Sequence, residues 1–445
     1  MTFRNVSIIY DKSLKIMTLS PSSWTATAPT QWFDNYRIIS IIDNPLAGHL
    51  GVIDLRPFIK AGGVEYKNVK EIFSSATALD CMVKQYGLGD YRYLLNRSNN
   101  MVGRPVLGNS HAIVKRFENK VWFRENFSNN LHFPDFKIVK LDDMRLPGIF
   151  TRLSAMLTTN MVLQHDALAG SRGTHFASNA KEFENAVNEL LSAEIASDCI
   201  VVSKRLLKPR ERTVQACVTS EDVLVGPAQA QLVRHPLLVP TKPGAIQFCG
   251  GRIAGGLVTD AQYADMAEST KLIGVSLQKE GYRGVFGVDF LIEDKKVYVI
   301  ETNPRMTGLT TLLAFLQTEV PFLLLHILEL SGEKYTINMA DLGSIGEGSF
   351  LQIYAQNDGF VSIRSGLYDQ NLSFLGDGFE NGSIIPNHYG QYFVALRVSP
   401  GEKVVHGKSL AFIYSKEQLF DDNDNLSAGV TRLIENFRKD FTIVN

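Results

Sequence analysis

Cysteine is scarce in this 445-residue chain: Cys81, Cys199, Cys217 and Cys249 stand far apart and form no CxxC pair. That argues against a zinc site and against a secreted disulfide framework, and it favours reduced, packed thiols over a redox role. An excess of charge is missing as well. Lys and Arg number 45 and Asp and Glu 46, a formal net charge of −1. Such a balance gives no electrostatic reason to expect nucleic acid as a partner. The segment Met1 to Tyr10 carries Arg4 and no long apolar run, so no signal peptide is expected there. The most apolar stretch, Thr311 to Leu330, is interrupted by Gln317, Glu319, Pro321, His326 and Glu329. A bilayer span needs about 20 apolar residues with few charges, so this stretch reads as one or two buried helices. His326 within it reads as a core histidine. A cytoplasmic protein with no membrane partner is the expectation. There is also no internal repeat, no low-complexity tract, no Walker A loop and no dinucleotide fingerprint.

What is present is an ordinary globular composition, 45% hydrophobic and 20% charged. The chain is long enough for roughly two to four structural units. Up to about residue 110, short apolar runs are broken by turn signals. Arg37 to Ile42 reads as a buried strand ending at the turn Asp43-Asn44-Pro45, which gives this part an α/β character. From His111 onward the patterns sharpen. Phe136 to Val139, Asn160 to Gln164 and Cys199 to Val202 read as strands. Asn179 and Glu182 have capping-box spacing ahead of the apolar stripe Phe183, Val187, Leu190 and Leu191. Val214 to Val218 and Val223 to Val225 suggest a hairpin, and Ala261 to Glu280 a helix with Gly281 as its C-terminal stop. Val285 to Ile292 and Val297 to Glu301 read as two more strands. From about Glu333 the chain is Gly-rich with short alternating segments, a smaller β-rich domain closed by a helix from Ser427 to Lys439.

Two segments carry candidate chemistry. Side chains alternate between faces along a strand, so Glu301, Asn303 and Arg305 can project to one side. A three-residue turn would set Asp289 opposite Glu301, whereas a turn of two or four residues would put the two carboxylates on opposite faces. On one face, the carboxylate pair, the amide oxygen and the guanidinium suit Mg²⁺ with a polyphosphate, because Mg²⁺ takes hard oxygen ligands together with substrate phosphates. The alternative is a hairpin whose polar face meets solvent. The second segment is the loop Gly170-Ser171-Arg172-Gly173-Thr174 after a strand, where backbone N–H groups can approach phosphate oxygens; taken alone it reads more readily as a plain surface turn. The cluster Lys204, Arg205, Lys208, Arg210 and Arg212 reads as a solvated face without the interleaved aromatics of a nucleic-acid groove.

In this order the segments resemble the ATP-grasp superfamily over about His111 to Leu330, most specifically in "GVFGVDFLIEDKKVYVIETNPRMTG", Gly284 to Gly308. The resemblance implies an α/β chain with an N-terminal open α/β domain (1–110), a two-lobed ATP-grasp unit (111–332, lid lobe about 135–200) and a small β-rich C-terminal domain (333–445). It places Mg²⁺, with Mn²⁺ as a substitute, on Asp289, Glu301 and Asn303, and a catalytic role on Arg305. "VSKRLLKPRERTVQ" resembles the adenine hinge, with Ser203, Lys204 and Leu206 lining the base of ATP. Lys120 in "NKVWFREN" matches the first of two phosphate-contacting lysines; Gln164 in "MVLQHD" stands where the second is usual. Gly170, Ser171, Arg172, Gly173 and Thr174 take the place of a lid that excludes water. The strand glutamine and the segment "IQFCGGRI" are similar to a subset typified by the peptide ligase of pheganomycin biosynthesis. That likeness puts Arg234, Gln231 or a Cys249-Gly250 loop near the acyl acceptor, with Cys249 a packed thiol. The implied activity is a carboxylate–amine ligase joining small molecules, an amino acid or peptide, through an acyl phosphate, in a homodimer by analogy. The alternatives are transfer to a carrier-protein thiol and a degenerate nucleotide-binding module.

Overall fold

The computed structural model describes residues 8–20, 23–40, 51–55, 76–94, 106–168, 173–193, 195, 197–240, 247–317, 320–337, 345–378 and 383–443. Near the N-terminus five parallel strands form one sheet in the order Val52–Asp54, Asn35–Ser40, Lys15–Leu19, Arg92–Leu94, Val106–Leu107. The apolar run at Ile38 and Ile39 lies at zero exposure in the middle of this sheet. The expected continuation of that strand through Ile41 and Ile42, and its turn at 43–45, lie outside the described residues.

Two further sheets face one another. The smaller is antiparallel, in the order Phe136–Lys140, Cys199–Lys204, Met161–His165, Thr174–Ala177. The helix Ala180–Leu191 covers it, burying Phe183, Ala186, Val187 and Leu190. Asn179 caps this helix by accepting from the Glu182 amide at 3.0 Å. The reciprocal bond of the capping box is displaced by one residue: Glu182 accepts from the amide of Ser178, at 2.8 Å.

The larger sheet has ten strands. Lys296–Asn303, Gly284–Glu293, Arg210–Val218, Val223–Val233 and Phe248–Ile253 run side by side, and Gly348–Tyr354 continues the ladder into the C-terminal strands. The C-terminal segment is β-rich as expected; five of its strands extend this sheet, and Gly359–Phe360, Lys403–Val404 and Thr442–Ile443 form a small sheet of their own. The helix Asp260–Lys279, started by a full capping box at Thr259 and Gln262, buries Met266, Ile273 and Leu277 on one face of the sheet. The apolar stretch near 311–330 forms the helices Thr310–Leu316 and Phe322–Ser331, as its interruptions predict. Gly284 is required where the second of these helices crosses, since a Cβ there would stand 2.1 Å from His326 Nδ1. His326 is a core histidine: Nδ1 accepts from the Val285 amide at 3.0 Å, and burial draws its pKa down to about 4. Among the described residues no helix is long and apolar enough to cross a membrane.

Candidate functional site

A cleft of about 600 Å³ opens between the four-stranded sheet and the edge of the ten-stranded sheet. One wall is the hairpin Gly284–Glu293/Lys296–Asn303. Its turn has two residues, Asp294 and Lys295, because Glu293 pairs with Lys296. On spacing alone that turn would send the two carboxylates to opposite faces. The register corrects itself further along: Phe290 pairs with Val299 but Asp289 with Glu301, so Ile300 is an extra residue, a β-bulge. The bulge brings Asp289 and Glu301 opposite each other, and both line the cleft.

Around this pair the charges interlock. Asp289 accepts from Gln231 Nε2 at 2.7 Å and from Asn303 Nδ2 at 2.8 Å. Asn303 Oδ1 accepts from Arg305 at 2.7 Å, and Arg305 Nε donates to Glu118 Oε1 at 3.1 Å. Glu301 Oε2 lies 3.1 Å from Lys120 Nζ, which also donates to the Leu168 carbonyl at 3.1 Å. Burial and the facing Glu301 carboxylate push the Asp289 carboxyl up to about 6. Burial raises Glu301 too, but Lys120, Arg305 and Arg124 outweigh it and hold this carboxyl below the usual glutamate value. The two acids are therefore driven apart by their surroundings.

Among the described residues no group of three or more His, Cys, Asp or Glu side chains could hold a metal ion alone. Two opposed carboxylates and an amide fit Mg²⁺ that completes its shell with phosphate oxygens, rather than a cation caged wholly by protein. A cation between them would also relieve the repulsion that raises Asp289. Asn303 would contribute the oxygen that Arg305 now engages.

The other wall comes from the helix Lys120–Phe127 and the four-stranded sheet. Asn119 caps that helix, accepting from the Trp122 amide at 2.8 Å while donating to Asp166 at 2.9 Å, so the start of the helix is pinned to the end of the Met161–His165 strand. Gln164 on this strand is buried, and its Oε1 accepts from Arg124 at 3.0 Å. Thr174 pairs with Gln164 and lines the cleft. Gly173 accepts from the His165 amide at 2.8 Å and leaves no room for a side chain, a Cβ falling 2.6 Å from that of His165. Gly170, Ser171 and Arg172, and with them most of the expected lid, lie outside the described residues. Ser203, Lys204 and Leu206 all reach the cleft. Just beyond them Glu293 accepts from the Leu207 amide at 2.7 Å and so ties this segment to the hairpin turn.

Two expectations need correction. Cys249 and Gly250 form no loop; they lie inside the strand Phe248–Ile253, between Leu232 and Leu351, and do not line the cleft. Cys249 donates to the Leu232 carbonyl at 3.3 Å, and burial pushes its thiol up to about 12, so it is a packed thiol as expected. Gln231 and Arg234 do reach the cleft. Nor is Arg212 on a solvated face: it is buried, donating to the Leu257 carbonyl at 3.2 Å and to Asp422 at 2.9 Å. The sequence reading missed Glu118, Arg124 and Phe176. Arg124 follows Lys120 by one helical turn, a spacing that could have flagged it. The guanidinium groups of Arg205 and Arg234 both lie over the ring of Phe176, 4.6 and 4.5 Å from its centre, and only tertiary structure brings those three together.

Residues 117–309 match the family model of the ATP-grasp domain. No curated protein sequence matches the chain. Among solved structures it is similar to the biotin carboxylase domain of the 2-oxoglutarate carboxylase of Hydrogenobacter thermophilus, in complex with MgADP, ADP and bicarbonate. That likeness has a TM-score of 0.63 at 14% identity and spans 91% of this chain and 86% of that one. It is also similar to the phosphoribosylamine–glycine ligase of Thermotoga maritima, with a TM-score of 0.57 at 14% identity over 96% and 97% of the two chains. A third likeness is to the N5-carboxyaminoimidazole synthetase of Staphylococcus aureus complexed with ADP, with a TM-score of 0.53 at 11% identity over 97% and 98%. At such identities the likeness is one of fold.

Proposed function

We propose that this chain, which carries an ATP-grasp domain, is an ATP-dependent carboxylate–amine ligase. In this reading it works through an acyl phosphate, as the peptide ligases of the pheganomycin type do, and releases ADP and phosphate. The observation that carries the reading is the bulge-made opposition of Asp289 and Glu301 in a cleft that also holds Lys120 and Arg305. ADP in two of the similar structures supports a nucleotide in the corresponding cleft.

The chemistry follows from what a carboxylate lacks. An amine cannot expel an oxide from it, so one oxygen must first become a leaving group. The substrate carboxylate attacks the γ-phosphorus, the bond from that phosphorus to the β–γ bridging oxygen breaks, and ADP departs. The amine then attacks the acyl carbon, phosphate leaves with the former carboxylate oxygen, and the nitrogen loses a proton. Asp289, Glu301 and Asn303 would hold Mg²⁺, which when bound supplies neutralising charge to the phosphate chain. Lys120 adds a fixed cation on the opposite wall, oriented by Glu301. Arg305, held by Glu118 and Asn303, presents a guanidinium that needs no reorganisation as charge builds on the transferring group. Ser203, Lys204 and Leu206 line the nucleotide base, and Gln231 and Arg234 border the space left for the acid and the amine.

The test is product analysis after an ADP-release screen over amino acids and short peptides. The expected products are ADP and phosphate, and hydroxylamine in place of the amine traps a hydroxamate. AMP and pyrophosphate would overturn the reading.

A further inference from the structure

Lys120 and Arg124 stand one turn apart on the same helix face, and both line the cleft. Their surroundings differ. Lys120 has a carboxylate partner in Glu301. Arg124 is 1% exposed and makes no ion pair among the described residues. One of its terminal nitrogens donates to Gln164 Oε1 at 3.0 Å, the other reaches the Lys120 carbonyl at a long 3.4 Å, and Nε has no partner. The rings of Phe133 and Phe136 flank the guanidinium carbon at 5.3 and 5.7 Å. A guanidinium has five N–H donors, and here two are spent, both on neutral oxygens.

Taking a cation out of water is costly unless a counter-charge meets it. Burial draws the Arg124 pKa down to about 10, and Glu301 offsets this only in part. A group so placed on the wall of a cleft is completed by an anion that arrives from outside. The planar fork matches phosphate oxygens. The partner chosen inside the protein also matters. A carboxylate at position 164 would fix the fork and cancel its charge, whereas the amide of Gln164 fixes it and leaves the charge available. Gln164 belongs to the four-stranded sheet, so its bond to Arg124 ties that sheet to the helix at the point where the anion would sit.

We propose that Arg124 is a phosphate-binding residue that takes the phosphate chain of the nucleotide, and that Gln164 is its neutral positioning residue rather than a phosphate ligand. This rests on the nucleotide reading of the cleft given above.

Calorimetric titration with MgATP and, separately, with adenosine tests it. Arg124→Gln should weaken MgATP by roughly 10- to 100-fold, the range of a charge-assisted pair, with adenosine unchanged. Gln164→Glu, which gives the guanidinium a carboxylate, should weaken MgATP comparably while the protein stays folded. The double variant R124Q/Q164K returns a cation to the same spot and should recover most of the loss. Arg124→Met should keep or raise the melting temperature without nucleotide, and lose most of the rise that MgATP gives the wild type. If R124Q and Q164E bind MgATP like the wild type, Arg124 is a structural residue and the proposal is overturned. An R124M protein that melts early while binding MgATP normally overturns it equally. A wild-type protein that binds neither MgATP nor adenosine removes the nucleotide reading, and this assignment with it.

Discussion

On the hairpin wall of the cleft the charged groups are all engaged, whereas on the facing helix and strand wall they are not. Asp289 accepts two amide bonds, Glu301 faces Lys120, and Arg305 spans Glu118 and Asn303. Across from them the Nε of Arg124 and the hydroxyl of Ser203 are buried with no partner. A closed polar network fixes geometry, because every member restrains the next. Unspent donors do the reverse: they hold binding capacity for whatever enters. On the proposed reading, one wall serves positioning and the other the capture of an anion.

Breaking the closed wall should cost the most. Arg305→Ala removes the guanidinium and leaves Glu118, whose side chain is only 13% exposed, with Lys115 as its one remaining cation among the described residues. Loss of one preorganised donor at a developing charge is worth roughly 10²–10³ in rate. We expect kcat to fall by about that factor, with the affinity for MgATP changed only a few-fold, in steady-state kinetics over a range of MgATP concentrations. A rise in the KM for ATP with kcat intact would instead make Arg305 a ground-state binder and undo the contrast between the walls.

The next test separates the two acids. The Asp289 carboxyl, raised to about 6 by burial and by Glu301, binds its proton more tightly folded than unfolded. Its contribution to stability is present below the ordinary aspartate value and is lost as pH rises through about 6. Glu301 lies below the ordinary glutamate value, so its contribution is present above that value and is lost on acidification. Under the proposed metal site, Mg²⁺ would compete with the proton on Asp289. The rise in melting temperature given by Mg²⁺ with a non-hydrolysable ATP analogue should therefore be small near about pH 5 and full near about pH 7. More Mg²⁺ should move the midpoint down. A midpoint indifferent to Mg²⁺ would separate the carboxylate pair from the metal.

The residue types of this site were legible in the sequence because alternation along a strand is local: Glu301 and Asn303 follow it, and Arg305 reaches the cleft from a bend just past the strand end. The pairing of Asp289 with Glu301 was not, since it depends on a bulge at Ile300 that no turn rule announces. Long elements were also readable, as in the helix read from Ala261 to Glu280 and at the Asn179 cap, whose bond closes within four residues. Partners distant in sequence were hidden. Glu118 meets Arg305 across 187 positions, and Arg212 meets Asp422 across 210. A run of basic residues looks solvated until the C-terminal segment is seen to cover one of them.

The smallest expected effect concerns Ser203. Ser203 lies in the Cys199–Lys204 strand, 4% exposed, and its hydroxyl has no partner among the described residues. Leaving a buried hydroxyl without a hydrogen bond costs about 1–3 kcal/mol, so removing it should not harm the protein without nucleotide. Ser203→Ala should therefore melt at or slightly above the wild-type temperature, the reverse of the usual result for a buried polar residue whose bond is broken. Asn179→Ala is the matched control, since its side chain accepts the Glu182 amide; it should lose about 1 kcal/mol. If the open hydroxyl serves the nucleotide, S203A should also weaken MgATP and adenosine by the same few-fold factor, because it would touch the base and not the phosphates. That pattern sets it apart from Arg124, whose loss is expected for MgATP alone. A clear drop in the melting temperature of S203A without ligand would mean that the hydroxyl is already satisfied, and the two walls would then differ less than their bonding indicates.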